Sequence, residues 1–340
     1  MSSLSLPDSA SASTLAASFS LNPVWSSADP SSADVLAAST DSSDSTATDV
    51  LRTSWSMVGN SAPNTAWVLD PFDAANGADV LQVTYPEGTR DGTQFTMRVF
   101  DNFTSEWNQT AGTALLKYEL AFSDDFDFVL GGKLPGLYGA NNESTKICSG
   151  GKQDEDCFSA RLMWRQRGAG EVYAYLPTYS GFCSQSDVLC NVGDDVTYGV
   201  SLSRGSFRFK TGEWATITQL ISLNTPGYAN GLLYLYHNDE LALAHTGLSW
   251  RMRDDVSLSS VFFSSFFGGS GNAWNSKGGN AYFRRFEVYA SAATSNTSGP
   301  AVNASATGGW SAAPPSHTST SLPQLVSLFL FSALLLSLSV

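Results

Sequence analysis

Lysine, serine, arginine and tyrosine residues whose spacing could support chemistry are concentrated in residues 131–177. Phe158 to Arg167 alternates apolar and polar side chains with a period of two, and Glu171 to Leu176 does so again after Gly168-Ala169-Gly170. This pattern predicts a β-hairpin with one face in the core and a polar opposite face. The polar face and the turn that precedes it hold the candidate site residues Lys133, Ser159, Arg161, Arg165, Arg167, Tyr173 and Tyr175.

The short loop of this hairpin also predicts a register. If Arg167 faces Glu171 across Gly168-Ala169-Gly170, then Arg165 lies opposite Tyr173. Tyrosines and arginines would then share one solvent-facing surface that contains no histidine. Guanidinium groups bind carboxylates through two parallel hydrogen bonds, so this surface is suited to an acidic ligand.

Three motifs in this stretch resemble those of polysaccharide lyase family 14, which includes alginate lyases from viruses and molluscs. They are GGKLPGLYG at residues 131–139, S-x-R-x-M-W-R at 159–165 and Y-x-Y at 173–175. W-x-T-x-x-Q-x-x-x-L-N at 214–224 and SSFFGGS at 264–270 extend the resemblance over most of residues 79–289. The resemblance implies a jelly-roll enzyme, and it implies that the residues important for activity are Lys133, Ser159, Arg161, Tyr173 and Tyr175.

The wider chain independently predicts an all-β fold. Short strand-like segments recur from about residue 64 to residue 289, separated by Gly, Asn and Asp, and no sustained period of 3.6 residues is present. This pattern is typical of an antiparallel β-sandwich, or jelly roll. We therefore predict one such domain over residues 63–290.

The activity implied by the resemblance is β-elimination in a 4-linked uronate polysaccharide, either glucuronan-like or alginate-like. Arg161 would neutralise the uronate carboxylate, with Arg165 and Arg167 as further substrate-binding cations and Ser159 orienting the substrate or Arg161. Tyr173 or Tyr175 would transfer protons, because neighbouring cations favour tyrosinate, and Lys133 would take the other proton-transfer role. No cofactor is expected.

The net charge of the chain and the positions of its acidic residues help to weigh other possible functions. The net charge of -13 argues against nucleic acid as a partner, and it requires a local cationic groove for an acidic polysaccharide. A glycosidase would need paired carboxylates, and Glu171 is the one acid predicted on the polar face. The stronger alternative is a non-catalytic protein of the cell surface or wall that binds acidic glycans without cleaving them.

The four cysteines form two close pairs, Cys148 with Cys157 and Cys183 with Cys190. Zinc is the competing interpretation, but these spacings match no common zinc framework, so we predict two disulfides and no metal site. Disulfides indicate an oxidising compartment. Five N-x-S/T sequons, at Asn102, Asn108, Asn142, Asn296 and Asn303, agree with passage through the secretory pathway.

The two ends of the chain differ in composition from the predicted domain. Residues 1–62 are rich in Ser and Ala and are predicted to be disordered, without a convincing signal peptide. Residues 291–321 form a Ser/Thr-rich linker, and the apolar tail over 322–340 is typical of a glycosylphosphatidylinositol signal. We therefore expect a monomer on the outer cell surface, tethered to the membrane. For a protein at that location, we expect glucuronate-bearing wall polymers as substrates in preference to alginate.

Overall fold

The chain folds into two antiparallel sheets that pack face to face in the computed structural model, which describes residues 6–27, 45–73, 79–141, 147–152, 154–192 and 197–302. Strands are numbered in chain order. Sheet A contains β1 (Asn22–Ser26), β3 (Thr65–Leu69), β4 (Asp79–Thr84), β6 (Thr113–Phe122), β12 (Ala215–Ser222), β13 (Gly231–His237), β14 (Glu240–Leu248) and β16 (Asn280–Ser291). Sheet B contains β2 (Met57–Val58), β5 (Thr93–Met97), β7 (Gly131–Ala140), β8 (Cys157–Arg165), β9 (Ala169–Tyr175), β10 (Val188–Val192), β11 (Thr197–Arg208) and β15 (Ser257–Phe267).

The strand order explains how distant segments meet at one surface. Sheet A runs β14-β13-β12-β6-β16-β4-β3, with β1 added to β16, and sheet B runs β10-β11-β9-β8-β7-β15-β5-β2. The predicted hairpin, β8 and β9, therefore lies at the centre of sheet B with β7 beside it. The prediction of an all-β antiparallel sandwich is confirmed.

The main core fills the space between the sheets and is rich in aromatic rings. Trp164 on β8 contacts Tyr85, Phe122 and Phe267 at ring-centroid distances of 5.8, 5.5 and 5.3 Å. A Cβ atom at Gly132 on the neighbouring β7 would lie 2.1 Å from the Trp164 ring, so only glycine allows this close packing. The apolar face of β8 is thus fixed against the core, and its other face is fixed outward.

A buried glutamine connects the two sheets directly beneath the candidate site. The Gln219 side chain on β12 accepts a hydrogen bond from the Leu137 N–H at 2.9 Å and donates one to the Ala160 carbonyl at 2.8 Å. Both partners belong to sheet B, next to the register shift between Leu134 and Gly136 in β7. Gln219 therefore satisfies backbone groups at this irregularity, which explains a polar residue between Ile217 and Ile221 on the inward face of β12.

Part of the N-terminal segment is folded, contrary to the sequence prediction. Helix α1 (Ala12–Ser18) buries Leu15 against the outer face of sheet A, and β1 pairs with β16. Helix α2 (Ser45–Ser54) precedes Trp55, which is completely buried in the main core. The prediction of disorder over 1–62 is thus wrong for the described residues, because a few apolar side chains suffice to dock a polar segment. Residues 1–5 and 28–44 lie outside the described part.

The remaining helical elements are short. Helix α3 (Asp101–Trp107) follows β5, and 3₁₀ turns occupy Gln166–Gly168, Phe182–Ser184 and Asn272–Trp274. Within the described ranges, no helix is both long and apolar enough to cross a membrane. The predicted tail over 322–340 lies outside the described residues, as does the predicted linker from residue 303 onward.

Candidate functional site

The β8–β9 hairpin has the predicted faces but a different register. Arg161 lies opposite Tyr173, whereas the sequence placed Arg165 there, so the predicted register is wrong by four residues. The cause is a 3₁₀ turn over Gln166–Gly168, in which Arg167 adopts a left-handed conformation with φ of 58° and lengthens the connection. Because a shift of four residues is even, every side chain keeps its predicted face.

A groove of about 710 Å³ lies on the outer face of sheet B, above β9, β8 and β7. Its lining includes four basic side chains and, among the described residues, no Asp or Glu. The lining side chains that carry charge, hydroxyl or amide groups, or an aromatic ring, are Arg90, Gln94, Lys133, Ser149, Arg161, Arg165, Tyr173, Tyr175, Asn191, Tyr198, Phe266, Phe267, Ser270 and Trp274. An acidic protein thus carries a locally cationic groove, which an acidic polysaccharide would require.

Lys133 is the buried amine at the centre of this groove. Its Nζ atom lies 3.2 Å from the centroid of the Tyr173 ring and 2.7 Å from Sδ of Met163. Burial, together with the positive charges of Arg161 and Arg165, lowers the pKa of Lys133 well below its ordinary value of 10.5. A lysine in this environment loses its proton far more readily than an exposed one and can act as a base.

Arg161 is a buried guanidinium that forms no salt bridge with any described residue. Nη1 donates a hydrogen bond to Oγ of Ser264 at 3.1 Å, and the group lies 4.6 Å from the Phe262 ring centroid. Its Nε atom is buried without a hydrogen-bond partner. Burial lowers the pKa of Arg161 to about 10, so the side chain still carries its charge at neutral pH. An uncompensated buried cation is costly, and a bound anion would remove that cost.

The two predicted tyrosines are adjacent on β9 and differ in their contacts. Tyr173 lies beneath Lys133, and burial raises the pKa of its phenol, with the neighbouring Tyr175 adding to the effect and Arg165 opposing it. The expectation that neighbouring cations favour tyrosinate is therefore wrong for Tyr173, because loss of solvation outweighs the charges. The Tyr175 hydroxyl accepts a hydrogen bond from the Gly151 N–H at 3.0 Å. Tyr173 thus keeps its proton and is suited to donating it.

Glu171 has a structural position that the sequence did not indicate. Its fully buried carboxylate accepts hydrogen bonds from Nε and Nη2 of Arg165 at 2.8 and 2.5 Å, and from Nε of Arg204 at 2.6 Å. Ser201 adds a hydroxyl donor at 3.2 Å. Both oxygens of the Glu171 carboxylate are therefore bound in salt bridges to arginines, so this side chain is not free to act as a general acid. It holds Arg165 in the groove wall.

Two of the sequence-predicted binding residues do not line the groove. Arg167 is exposed in the 3₁₀ turn, where its carbonyl accepts a hydrogen bond from Arg208. Ser159 is fully buried, and its hydroxyl donates to the Cys148 carbonyl at 2.6 Å. The residues that the structure brings together in the groove lining are therefore Lys133, Arg161, Arg165, Tyr173 and Tyr175. Ser159 is buried beneath the groove lining, and Arg167 lies outside the groove.

Both predicted disulfides are confirmed, Cys148 with Cys157 and Cys183 with Cys190. Neither pair leaves a free thiol in the described chain, and no group of His, Cys, Asp and Glu residues that could hold a metal ion occurs among the residues described. The Cys148–Cys157 loop borders the groove through Ser149 and Gly150.

Several groove residues come from elements that the sequence prediction did not connect with the hairpin. Arg90 precedes β5, Gln94 lies within β5, and Trp274 belongs to a 3₁₀ turn. At the opposite end of the groove, Asn191 lies on β10 and Tyr198 on β11. The SSFFGGS motif contained one usable signal, because its Ser264 contacts Arg161 and residues 268–270 line the groove. The other contacts depend on strand order, which short-range spacing does not reveal.

Comparisons with known proteins agree with this architecture. The marine PL-14 alginate lyase from Aplysia kurodai is 30% identical to this chain, with a TM-score of 0.66 over 79% of this chain and 100% of that structure. Alginate lyase vAL-1 from Chlorella virus is 21% identical, with a TM-score of 0.55 over 72% of this chain and 97% of that structure.

A curated relative and a family profile extend the comparison. Exolysin from Paramecium bursaria Chlorella virus 1 is 24% identical over 184 residues, which is 49% of this chain but only 28% of exolysin. This chain therefore corresponds to little more than a quarter of that relative. Residues 73–286 match the profile described as Polysaccharide lyase 14, which is more than half of the chain. The resemblance found in the sequence motifs is thereby confirmed, and the chain belongs to polysaccharide lyase family 14.

Proposed function

We propose that this protein cleaves a 4-linked uronate polysaccharide by β-elimination in the groove of sheet B. The observation that carries the proposal is the presence of two buried basic side chains in one groove, Lys133 and Arg161, for which the described residues provide no carboxylate partner. One has a strongly lowered pKa and the other keeps its charge. A base and an anion-binding group side by side are what elimination next to a carboxylate requires.

Arg161 acts on the substrate carboxylate. Removal of the proton at C5 of a uronate places negative charge on the attached carboxylate, and a guanidinium at that position stabilises the charge as it develops. The unpartnered Nε and the remaining Nη hydrogens of Arg161 are available for such contacts. Glu171 keeps Arg165 oriented beside this position without competing for Arg161.

Lys133 and Tyr173 divide the proton transfers. The neutral Lys133 amine takes the C5 proton, the electrons of that bond form the C4–C5 double bond, and the C4–O4 bond breaks. The departing O4 receives a proton from a phenol, for which Tyr173 is suited because burial holds its proton. The products are a new reducing end and a chain that ends in an unsaturated uronate, with no water consumed.

The uronate polymer itself is the finer part of the proposal. Alginate is the first polymer to test, since the similar structures from Aplysia kurodai and Chlorella virus are those of alginate lyases. The preference for glucuronate-bearing polymers that follows from the predicted surface location stays a prediction. Both belong to the same class of 4-linked uronates.

Absorbance of the unsaturated uronate product tests the proposal directly. The purified protein is incubated with alginate, its mannuronate and guluronate blocks, and glucuronan, and ultraviolet absorbance is followed. We expect growth on at least one polymer and none with Lys133→Ala, whereas the Lys117→Ala control keeps the rate. Binding to these polymers without any growth in absorbance would contradict the proposal and support the glycan-binding alternative.

Location is a separate part of the proposal. Two disulfides indicate folding in an oxidising compartment, as expected for a secreted or surface protein. The apolar segment over 322–340 supports attachment through a glycosylphosphatidylinositol anchor. Release from cell membranes by a phosphatidylinositol-specific phospholipase is the expected result. Retention after treatment, with the peptide 322–340 still present, would contradict the anchor.

A further inference from the structure

The loop closed by the Cys148–Cys157 disulfide lies at the edge of the catalytic groove. Ser149 and Gly150 line the groove directly, beside the β8–β9 hairpin. The second disulfide, Cys183–Cys190, closes a loop of similar length, but no residue between its two cysteines lines the groove. Two disulfides of nearly equal span thus differ in their relation to the site.

Hydrogen bonds tie the Cys148–Cys157 loop to two residues that pair across the hairpin. Gly151 donates its N–H to the Tyr175 hydroxyl oxygen at 3.0 Å, and the Cys148 carbonyl accepts from Ser159 at 2.6 Å. Ser159 and Tyr175 are register partners on β8 and β9. Gly151 has φ of 80°, so its N–H is presented by a backbone conformation that side chains other than glycine rarely adopt.

The disulfide also belongs to the same cluster of buried side chains as Tyr175. Both sulfur-bearing side chains are buried, at 1% exposure for Cys148 and 2% for Cys157, and they cluster with Met163, Tyr173 and Tyr175. The disulfide therefore lies against the side chains that surround the Lys133 amine. Because the Gly151 N–H occupies a lone pair of the Tyr175 oxygen, the phenol O–H of Tyr175 remains able to donate to another group, and Tyr175 lines the groove.

We propose that the Cys148–Cys157 disulfide acts as a positioning element, holding the Tyr175 hydroxyl in the groove wall beside the proton donor Tyr173 through the Gly151 N–H. The inference rests on the proposed elimination reaction and adds a residue-level role for this covalent bond. Without the bond, the loop from 148 to 157 loses its closure and the Gly151 N–H no longer holds a single position. Substrate binding by Arg161 and Arg165 is unaffected, because neither contacts the loop through a described hydrogen bond.

A matched pair of variants separates this role from general stabilisation. Cys148→Ser/Cys157→Ser is compared with Cys183→Ser/Cys190→Ser for kcat, KM and melting temperature on the best uronate polymer. We expect kcat to fall by at least about tenfold in the first variant with little change in KM, because small displacements of a catalytic group are expensive. The second variant should keep kcat while its melting temperature falls comparably. Equal kcat in both variants would overturn the proposal.

A double-mutant cycle tests whether the effect runs through Tyr175. In a Tyr175→Phe background the hydroxyl that Gly151 binds is gone, so removing the Cys148–Cys157 disulfide should cost no further activity. A second tenfold loss in that background would show that the disulfide acts elsewhere. Full activity of Tyr175→Phe alone would also contradict the inference.

Reduction provides an alternative if the first serine variant does not fold. The Cys183→Ser/Cys190→Ser protein contains only the Cys148–Cys157 disulfide, so a mild reductant acts on that bond alone. Activity should fall on reduction and return on reoxidation while the folded signal persists; unchanged activity after complete reduction would refute the role. If the wild-type protein forms no unsaturated uronate, the proposed function itself fails, which is a different result.

Discussion

The outer faces of the two sheets differ in whether their basic side chains have carboxylate partners. On sheet A, Lys117 pairs with Glu287 at 2.6 Å, and Arg284 pairs with Asp70 and with Glu119, the latter at 2.7 Å. Trp214 adds a stacked ring 4.0 Å from the Arg284 guanidinium. Each of these two cations thus has an opposite charge in contact, which offsets the cost of its burial.

The outer face of sheet B leaves its two most buried basic side chains without such partners. Lys133 and Arg161 form no salt bridge with the described residues, and the nearby carboxylate of Glu171 is occupied by Arg165 and Arg204. The fold can pair lysine and arginine with carboxylates, as sheet A demonstrates, whereas the groove leaves the charge of Arg161 without a carboxylate. Uncompensated buried charge marks the place where a ligand supplies the missing anion.

Removing the groove lysine should have the largest effect. Lys133→Ala eliminates the base, and we expect kcat to fall by about 10²–10⁴-fold, as for other general bases. Lys117→Ala on sheet A should leave kcat unchanged, because its partner Glu287 is remote from the groove. Initial rates of absorbance growth measure both. A comparable loss of kcat in Lys133→Ala and Lys117→Ala would contradict the view that only the lysine on sheet B acts in catalysis.

Substituting one arginine on each outer face, Arg161 on sheet B and Arg284 on sheet A, should have opposite consequences. Arg161→Met is expected to lower kcat/KM by about 10²–10³-fold, as for loss of one charge-stabilising donor, with no loss of folding stability. Arg284→Met should keep kcat/KM but lower the free energy of unfolding by about 3–5 kcal/mol, because the buried Asp70 loses its cation and Glu119 keeps only the exposed Arg285. Urea unfolding and polymer kinetics on the same samples test the contrast. Destabilisation by Arg161→Met would show that its charge is structurally compensated.

The pH profile refines the role of Glu171. Activity requires neutral Lys133, so kcat/KM should rise with pH through the lowered pKa of this amine. The negative charge of Glu171 raises that pKa and partly offsets the larger effects of burial and the arginines. Glu171→Gln should therefore move the rising limb to lower pH. An unchanged limb, in a variant that still folds, would argue against Lys133 as the titrating group.

The smallest effect is expected for the arginine outside the groove. Arg167→Ala should change kcat/KM by less than about twofold, as for an exposed residue away from special features. Arg165→Ala serves as the comparison, since Arg165 lines the groove and is bound to Glu171. A large loss in Arg167→Ala would return that residue to the substrate-binding set.

The sequence predicted which face each hairpin residue occupies but not which residues pair. Alternation in β8 and β9 follows directly from strand geometry, so Arg161 and Tyr173 were assigned to one surface correctly. The register depends on the connection, and the left-handed conformation of Arg167 is not expected from its residue type. The groove face was also predicted to be solvent-exposed, whereas Lys133 and Arg161 are buried.

Longer-range features could not be predicted from spacing. Gln219 lies within a motif that the sequence singled out, but its contacts to Leu137 and Ala160 depend on how sheet A packs on sheet B. The docking of α1 similarly depends on an apolar patch formed by separate strands of sheet A. The disulfides were predictable because the cysteines of each pair are close in sequence and their spacings match no common zinc framework.

The placement of the described chain ends has a practical consequence. Ser9 bridges to Glu240 in sheet A, and Ala301 bridges to Tyr228 in the loop that enters β13 of that sheet. The groove opens on the outer face of sheet B, on the other side of the sandwich. Coupling the protein to a solid support through residues beyond 302 should therefore leave the groove open to long dissolved polymers, which makes this chain a suitable scaffold for an immobilised polysaccharide-degrading reactor.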